Sequence, residues 1–262
     1  MKKRLDQFLA DEGFFDTRAR ARAAVMEGLV SVDGSNEVKP GTQVKGSENV
    51  EVLSFGPEFV SRGGIKLEGA LEDLRVDVTD RSALDVGAST GGFTDCLLQR
   101  GALRVIALDV GKGQLHWKLR QDDRVTVMEG VNARDLGASS LAYTPDLAII
   151  DVSFISLKKV IGPVTRALAG GSEVIALVKP QFEAGIGRAP KGVVRERATH
   201  EEVLCDIVSW LEAAGFTATG VAPSRIRGPK GNVEFFLRIA EGRSRGVTDK
   251  ELRKAVGSVY GQ

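Results

Sequence analysis

One stretch limits the fold more than any other. Leu84-Asp85-Val86-Gly87-Ala88-Ser89-Thr90-Gly91-Gly92-Phe93 runs an apolar strand into a glycine-rich turn and then directly into a helix. Glycines lack a Cβ, so the chain can turn sharply at the strand's carboxyl end and a ligand can approach the backbone, while the helix that follows presents unpaired N–H groups. A crevice of this kind suits a nucleotide-like ligand, with Gly87, Ala88, Ser89, Thr90, Gly91, Gly92 and Phe93 as its candidate residues. Asp109 closes the next strand, where an acid can accept both hydroxyls of a ribose, and Val110 follows it. Ser89 stands where the G-x-G-x-x-G pattern needs its second glycine, which disfavours a pyrophosphate pressed on the backbone and hence a dinucleotide. Two residues have a plainer alternative that the sequence leaves open. Asp85 can touch a ligand or, structurally, cap a helix or tie down the loop, and Asn132, after the third strand, can meet an adenine edge or simply make a turn.

Around this unit, helical and strand patterns alternate. Helices are expected at Ile65 to Leu74, Gly92 to Arg100, Leu157 to Leu168 and Thr199 to Ala214. Strands are expected at Ala83 to Val86, Arg104 to Asp109, Val125 to Met128, Leu147 to Asp151, Val174 to Val178, Thr217 to Val221 and Val233 to Ile239. The fold class is α/β, a doubly wound, mostly parallel seven-stranded sheet whose last two strands form an antiparallel hairpin at one edge. Residues 1–53 differ. Helical patterns at Arg4 to Ala10 and Thr17 to Glu27, the second capped by Asp16 or Thr17 and ended by Gly28, lead to an Asp33-Gly34 turn and a small sheet carrying Val38, Val44, Val50, Val52 and Leu53. Residues 54–64, with three glycines and a proline, read as a linker, and 65–262 as the larger domain. Residues 241–262 carry no usable motif.

Composition excludes several classes. Charged residues make up 27% of the 262, and no apolar run approaches the roughly 20 residues of a spanning helix. The opening MKKRLDQFLADEG places acids where a secretory signal needs its apolar stretch, so a cytoplasmic protein is expected. Cys96 and Cys205 have neither zinc spacing nor the number for a disulfide framework; reduced thiols and no metal are expected. The net charge of +1 gives no overall attraction to nucleic acid, so any such binding depends on how charge is distributed over faces.

Four charges sit at the edges of otherwise apolar segments: Lys66, Asp151, Lys179 and Glu234. Each is costly there unless paired. Asp151 and Lys179 end two strands at the same sheet edge as the glycine loop, and all four can form one cluster. At this point the sequence resembles a known family. Asp85-x-Gly87-Ala88-x-x-Gly91-Gly92-Phe93, Asp151 after a strand, Val178-Lys179-Pro180-Gln181-Phe182-Glu183 and Asn232-Val233-Glu234 are similar to the RrmJ/FtsJ-type ribose 2'-O-methyltransferases, whose hallmark is a Lys-Asp-Lys-Glu tetrad. Ser61-Arg62-Gly63-Gly64-x-Lys66-Leu67 and Asp109-Val110-Gly111-x-Gly113-Gln114-Leu115 resemble the TlyA type, bacterial rRNA cytidine 2'-O-methyltransferases often labelled haemolysin A; that pattern has an aromatic where Lys112 stands.

The resemblance implies a Rossmann-like class I methyltransferase domain, S-adenosyl-L-methionine as cofactor, rRNA within ribosomal subunits as partner, and the four charges as catalytic residues. It also makes residues 1–53 a small α+β S4 RNA-binding domain, on Arg4-Leu5-Asp6, Thr17-Arg18, Ala21-Arg22, Gly28, Val30-x-Val32-Asp33-Gly34 and Pro40. That domain is not basic overall, since residues 1–60 hold eight Lys/Arg against ten Asp/Glu, so a face must carry the binding. Arg18 and Arg22, four apart on one helix, with Arg4 and Lys39, are the candidates, and Arg188 and Lys191 form a second basic source. A 2'-hydroxyl is a poor nucleophile until its proton leaves, so Lys179 acts either as a neutral base or as a charged stabiliser of the oxyanion. By resemblance Asp151 orients Lys179, while Lys66 and Glu234 position the hydroxyl. The rival classes are a non-catalytic RNA-binding assembly factor, a membrane-active haemolysin without a spanning or barrel pattern to support it, and an NAD-dependent dehydrogenase.

Overall fold

The computed structural model describes residues 2–15, 17–26, 28–35, 38–52, 59–137, 140–185, 187–242 and 244–260. The chain divides into two compact units, Met1–Glu58 and Phe59–Gln262. Asp16, Glu27, Leu53 and the 54–58 part of the expected linker lie outside the described residues.

In the first unit, β1 (Lys3–Arg4), α1 (Leu5–Asp11), α2 (Arg18–Met26), β2 (Val30–Val32), β3 (Gln43–Val44) and β4 (Val50–Val52) follow in order. Leu5 and Leu9 on α1 and Ala21 and Val25 on α2, each pair four residues apart, bury one stripe of each helix against Val30 and Val44. The single small sheet expected from the sequence is instead two antiparallel ladders, β1 with β3 and β2 with β4. Asp33 and Gly34 do take the left-handed turn conformation, at φ 50° and 78°, but the turn closes only the Val32–Ser35 bridge. The sequence after Ser35 supplies no alternating apolar run, and Pro40 lacks an N–H, so β2 finds its partner further along.

The second unit opens with α3 (Gly63–Asp73), which begins inside the segment read as linker, with Phe59 and Val60 already packed on the core. There follow β5 (Ser82–Val86), α4 (Gly92–Gln99), β6 (Arg104–Asp109), α5 (Trp117–Arg120), β7 (Val125–Glu129), β8 (Leu147–Ile150) and α6 (Ile161–Arg166). The chain then forms β9 (Glu173–Val178), α7 (Pro180–Glu183), α8 (Arg197–Ala213), β10 (Phe216–Pro223), β11 (Phe235–Glu241) and α9 (Asp249–Gly257). The sheet order is β10-β11-β9-β8-β5-β6-β7, with β9 to β7 mutually parallel. The hairpin of β10 and β11 closes one edge, yet β11 lies inside it, antiparallel to both β10 and β9. Its nearly continuous apolar run explains this: Phe235, Phe236, Leu237 and Ile239 are buried, as an interior strand requires. The expected helix Leu157 to Leu168 is broken into a 3₁₀ turn, Leu157–Lys159, and the short α6. Pro163 lies in the first turn of α6, the part of a helix where a missing N–H costs nothing.

The strand period of two distributes side chains cleanly between two cores. Leu84, Val86, Ile106, Leu108, Ala148, Ile150, Ala176, Val178 and Phe235 face α6, α8 and α9. Ala83, Val105, Ala107, Ile149, Ile175, Leu177 and Phe236 face α3, α4 and α5. Carried one residue past the strand ends, this alternation assigns Asp151, Lys179 and Glu234 to the α3 side of the sheet.

Candidate active site

At the carboxyl ends of β5, β6 and β8 a cleft of about 1060 Å³ opens, lined among others by Gly87, Ser89, Asp109, Val110, Asn132 and Asp151. Open α/β sheets place their ligands at this edge. Gly87, at φ 91°, is the position where only glycine fits, because a Cβ would overlap the Asp151 carbonyl oxygen. Asp109 is pinned by two backbone donors, Ser89 N–H to Oδ2 at 2.8 Å and Gly111 N–H to Oδ1 at 2.6 Å. Each carboxylate oxygen retains a further acceptor site. Asn132 accepts the Arg134 N–H at 3.1 Å through Oδ1, so it makes its turn and lines the cleft together.

The rest of the glycine segment does not line the cleft. Gly91 makes room for Leu115 and Leu119, Gly92 for Ser61, and Phe93 packs on Phe236 with ring centroids 6.2 Å apart. Ala88 is buried, and the Thr90 carbonyl accepts the His116 N–H. Asp85 is also away from the cleft. It is fully buried, accepts the Thr94 hydroxyl at 2.6 Å, and burial pushes its carboxyl up to about 7. Of its two alternatives, the structure shows the tie between β5 and α4.

The four charges form two ion pairs. Lys66, on α3, donates to Glu234 Oε2 at 2.5 Å, with side-chain exposures of 7% and 0%. Lys179 is in ion-pair contact with Asp151 Oδ1 and donates its hydrogen bond to Ser153 Oγ at 2.9 Å; these side chains are 11% and 22% exposed. The pairs are joined through the sheet. Val178 of β9 pairs with Phe235 of β11, so Lys179 and Glu234 each stand one residue beyond that rung. Glu234 is further confined by Gly228, where a Cβ would overlap its carboxylate, and its Oε1 is buried without a hydrogen-bond partner.

Sequence reasoning missed several residues here. Ser153 has no periodic or spacing signal that marks it. Phe154, at φ 62° and 91% exposed, forms a tilted pair with Phe182 at 5.0 Å on the cleft wall. A left-handed phenylalanine is not readable from composition. Gly228 lies four residues before the buried Asn232, and only the close Glu234 carboxylate reveals its use.

The RNA-binding candidates are placed as follows. Arg4 and Arg18 both reach Asp6, and Arg22 and Lys39 are exposed in the same unit. In the second unit Arg188 is ion-paired with Glu202, and Lys191 is exposed in a 3₁₀ turn at φ 56°.

An FtsJ-like methyltransferase model matches residues 59–240, and an S4 domain model matches residues 3–50. The chain belongs to the FtsJ-like methyltransferase family. This family member is 40% identical to the 16S/23S rRNA (cytidine-2'-O)-methyltransferase TlyA of Mycobacterium tuberculosis, over 97% of this chain and 96% of that one. It is 38% identical to Hemolysin A of Brachyspira hyodysenteriae, over 88% of this chain and 97% of that one. A solved structure from Streptococcus thermophilus, described as a hemolysin, superposes with a TM-score of 0.80 at 40% identity, covering 99% of this chain and 96% of that one. The FtsJ-like methyltransferase uses S-adenosylmethionine as its methyl donor, and the cleft fits that group: Gly87 lines it, and Asp109 is a fixed carboxylate with acceptor sites left for hydroxyls.

Proposed function

We propose that this chain methylates a ribose 2'-hydroxyl of ribosomal RNA, on cytidine and within ribosomal subunits. The observation that carries the reading is the pair of lysine–carboxylate contacts set side by side at the sheet edge, with Asp151 shared between one pair and the cleft wall. The 40% identical relative named for cytidine 2'-O-methylation supports the choice of nucleotide.

Gly87, Ser89, Asp109, Val110 and Asn132 hold the cofactor, with Asp109 accepting its ribose hydroxyls. S-adenosylmethionine supplies an electrophilic methyl group on a positively charged sulfur. Lys179 Nζ meets the 2'-hydroxyl, and Asp151 and Ser153 fix the direction of that amine. Nζ either takes the hydroxyl proton itself or, as ammonium, holds the developing oxyanion while that proton passes to solvent water. Lys66 and Glu234, sealed against each other, position the hydroxyl through the neighbouring Lys179. Phe154 and Phe182 offer an aromatic face on which a base can stack. Arg4, Arg18, Arg22 and Lys39 contact phosphates in the first unit, with Arg188 and Lys191 a second basic contact. Membrane lysis is the weaker reading of the hemolysin label: no helix among the described residues is long and apolar enough to cross a membrane.

Lys179→Ala tests the reading. Methyl transfer to rRNA should fall by about 10³-fold or more, while calorimetric affinity for S-adenosylmethionine stays within about threefold. Turnover at the wild-type level removes Lys179 from the chemistry. Mapping ribose methylation in rRNA from cells with and without the protein identifies the nucleotide.

A further inference from the structure

The first unit sets a charge problem, because its acids outnumber its bases and yet it must hold a polyanion. Asp6 resolves it. This carboxylate, in the first turn of α1 and 1% exposed, accepts Arg4 Nε at Oδ1 (3.1 Å) and Arg4 Nη2 at Oδ2 (2.9 Å), a two-point fork. Its Oδ2 also accepts Arg18 Nη2 at 3.3 Å. The two guanidiniums come from different elements, and their side chains remain 46% and 51% exposed. The Lys39–Thr42 turn closes the third side. Its Pro40 and Thr42 carbonyls accept the Asp6 and Leu5 N–H groups at 3.0 and 2.7 Å, and Arg4 Nη1 lies 3.1 Å from where a Cβ on Gly41 would stand. Lys39 is exposed in that turn.

We propose that Asp6 is a positioning residue of the RNA-binding face, holding Arg4 and Arg18 as one rigid fork that grips a single backbone phosphate. The proposal rests on the RNA reading given above. Asp6 spends its charge inward: it is buried, while Arg4 Nη1 and Arg18 Nε and Nη1 make no hydrogen bond to it and remain for the phosphate. The fork keeps a net charge of +1, and two flexible side chains are ordered before RNA arrives, which lowers the entropic cost of binding.

The sign of one substitution separates this from plain electrostatics. Removing an acid from a phosphate-binding face should by Coulomb attraction tighten RNA binding. A positioning role predicts the reverse. With the full-length protein and a 23S rRNA transcript as probe, Asp6→Asn should weaken binding about fivefold, and Asp6→Asn with Arg18→Ala should bind no worse than Arg18→Ala alone. Thermal midpoint and S-adenosylmethionine affinity report whether the fold survives. Should Asp6→Asn fail to fold, Arg4→Lys keeps the charge and loses the two-point contact with Asp6, and the same weakening is expected. Equal or tighter binding by Asp6→Asn, or by Arg4→Lys in that case, overturns the fork and leaves the RNA reading standing. Unchanged binding by Arg4→Ala with Arg18→Ala removes this face from RNA recognition, and the fork with it.

Discussion

Two lysine–carboxylate pairs at one sheet edge live under different conditions. Lys66 and Glu234 are closed off, with Gly228 pressed on the carboxylate and no exposed atom on the acid. Asp151 lines the cleft with 22% of its side chain exposed, and Lys179, 11% exposed, stands against it. Desolvation makes the closed pair expensive to break, whereas the less deeply buried pair beside the cleft can reorganise around a substrate at lower cost. The same two residue types are therefore sealed away in one place and set beside the cleft in the other, where the proposed chemistry needs them.

The largest effect should come from breaking the closed pair. Lys66→Met strands the Glu234 carboxylate in the core and should cost about 3–5 kcal/mol of stability, read by urea denaturation. Adding Glu234→Gln should restore most of that loss without restoring methyl transfer; a double variant that is both stable and active would reduce the pair to scaffolding. Next is the open pair. Asp151→Asn should lower turnover by about 10²-fold while costing less stability than Lys66→Met, and an equal or larger loss of stability would erase the contrast between the pairs. The smallest effect concerns Asp85, a third acid on the α3 side that has no lysine. Burial raises its carboxyl to about 7, so between about pH 4 and 7 the folded chain keeps a proton that the unfolded chain has lost, and stability falls as pH rises through that window. Asp85→Asn should remove this slope and leave the protein more stable at pH 8 by about 2 kcal/mol. Parallel pH dependences for the two proteins would refute the assignment.

Much of this was legible in the sequence because burial on both faces writes a strand as a continuous apolar run. β5, β6, β8 and β9 are such runs, and their terminal charges, Asp109, Asp151 and Lys179, stood out for that reason. The S4 and methyltransferase matches agree with the resemblance drawn from the motifs. What stayed hidden depends on contacts between distant segments. The insertion of β11 beside β9 follows from pairing, not from local pattern. α9 was passed over although Thr248 and Glu251 form a capping box ahead of buried Leu252, Ala255 and Val256, because a helix start carries no functional sign. The division of the glycine segment into cleft-facing and packing residues depends on Leu115, Leu119 and Ser61, all outside it.

Glu234 immediately precedes the sheet's last strand in chain order, 168 residues after the lysine it grips. During synthesis, Lys66, Asp151 and Lys179 leave the ribosome well before it, and until β11 slides in, β9 offers a raw edge to any passing strand. An unfinished copy would be inert and sticky at once. Arrival of that strand thus closes the sheet and the charge cluster in one step.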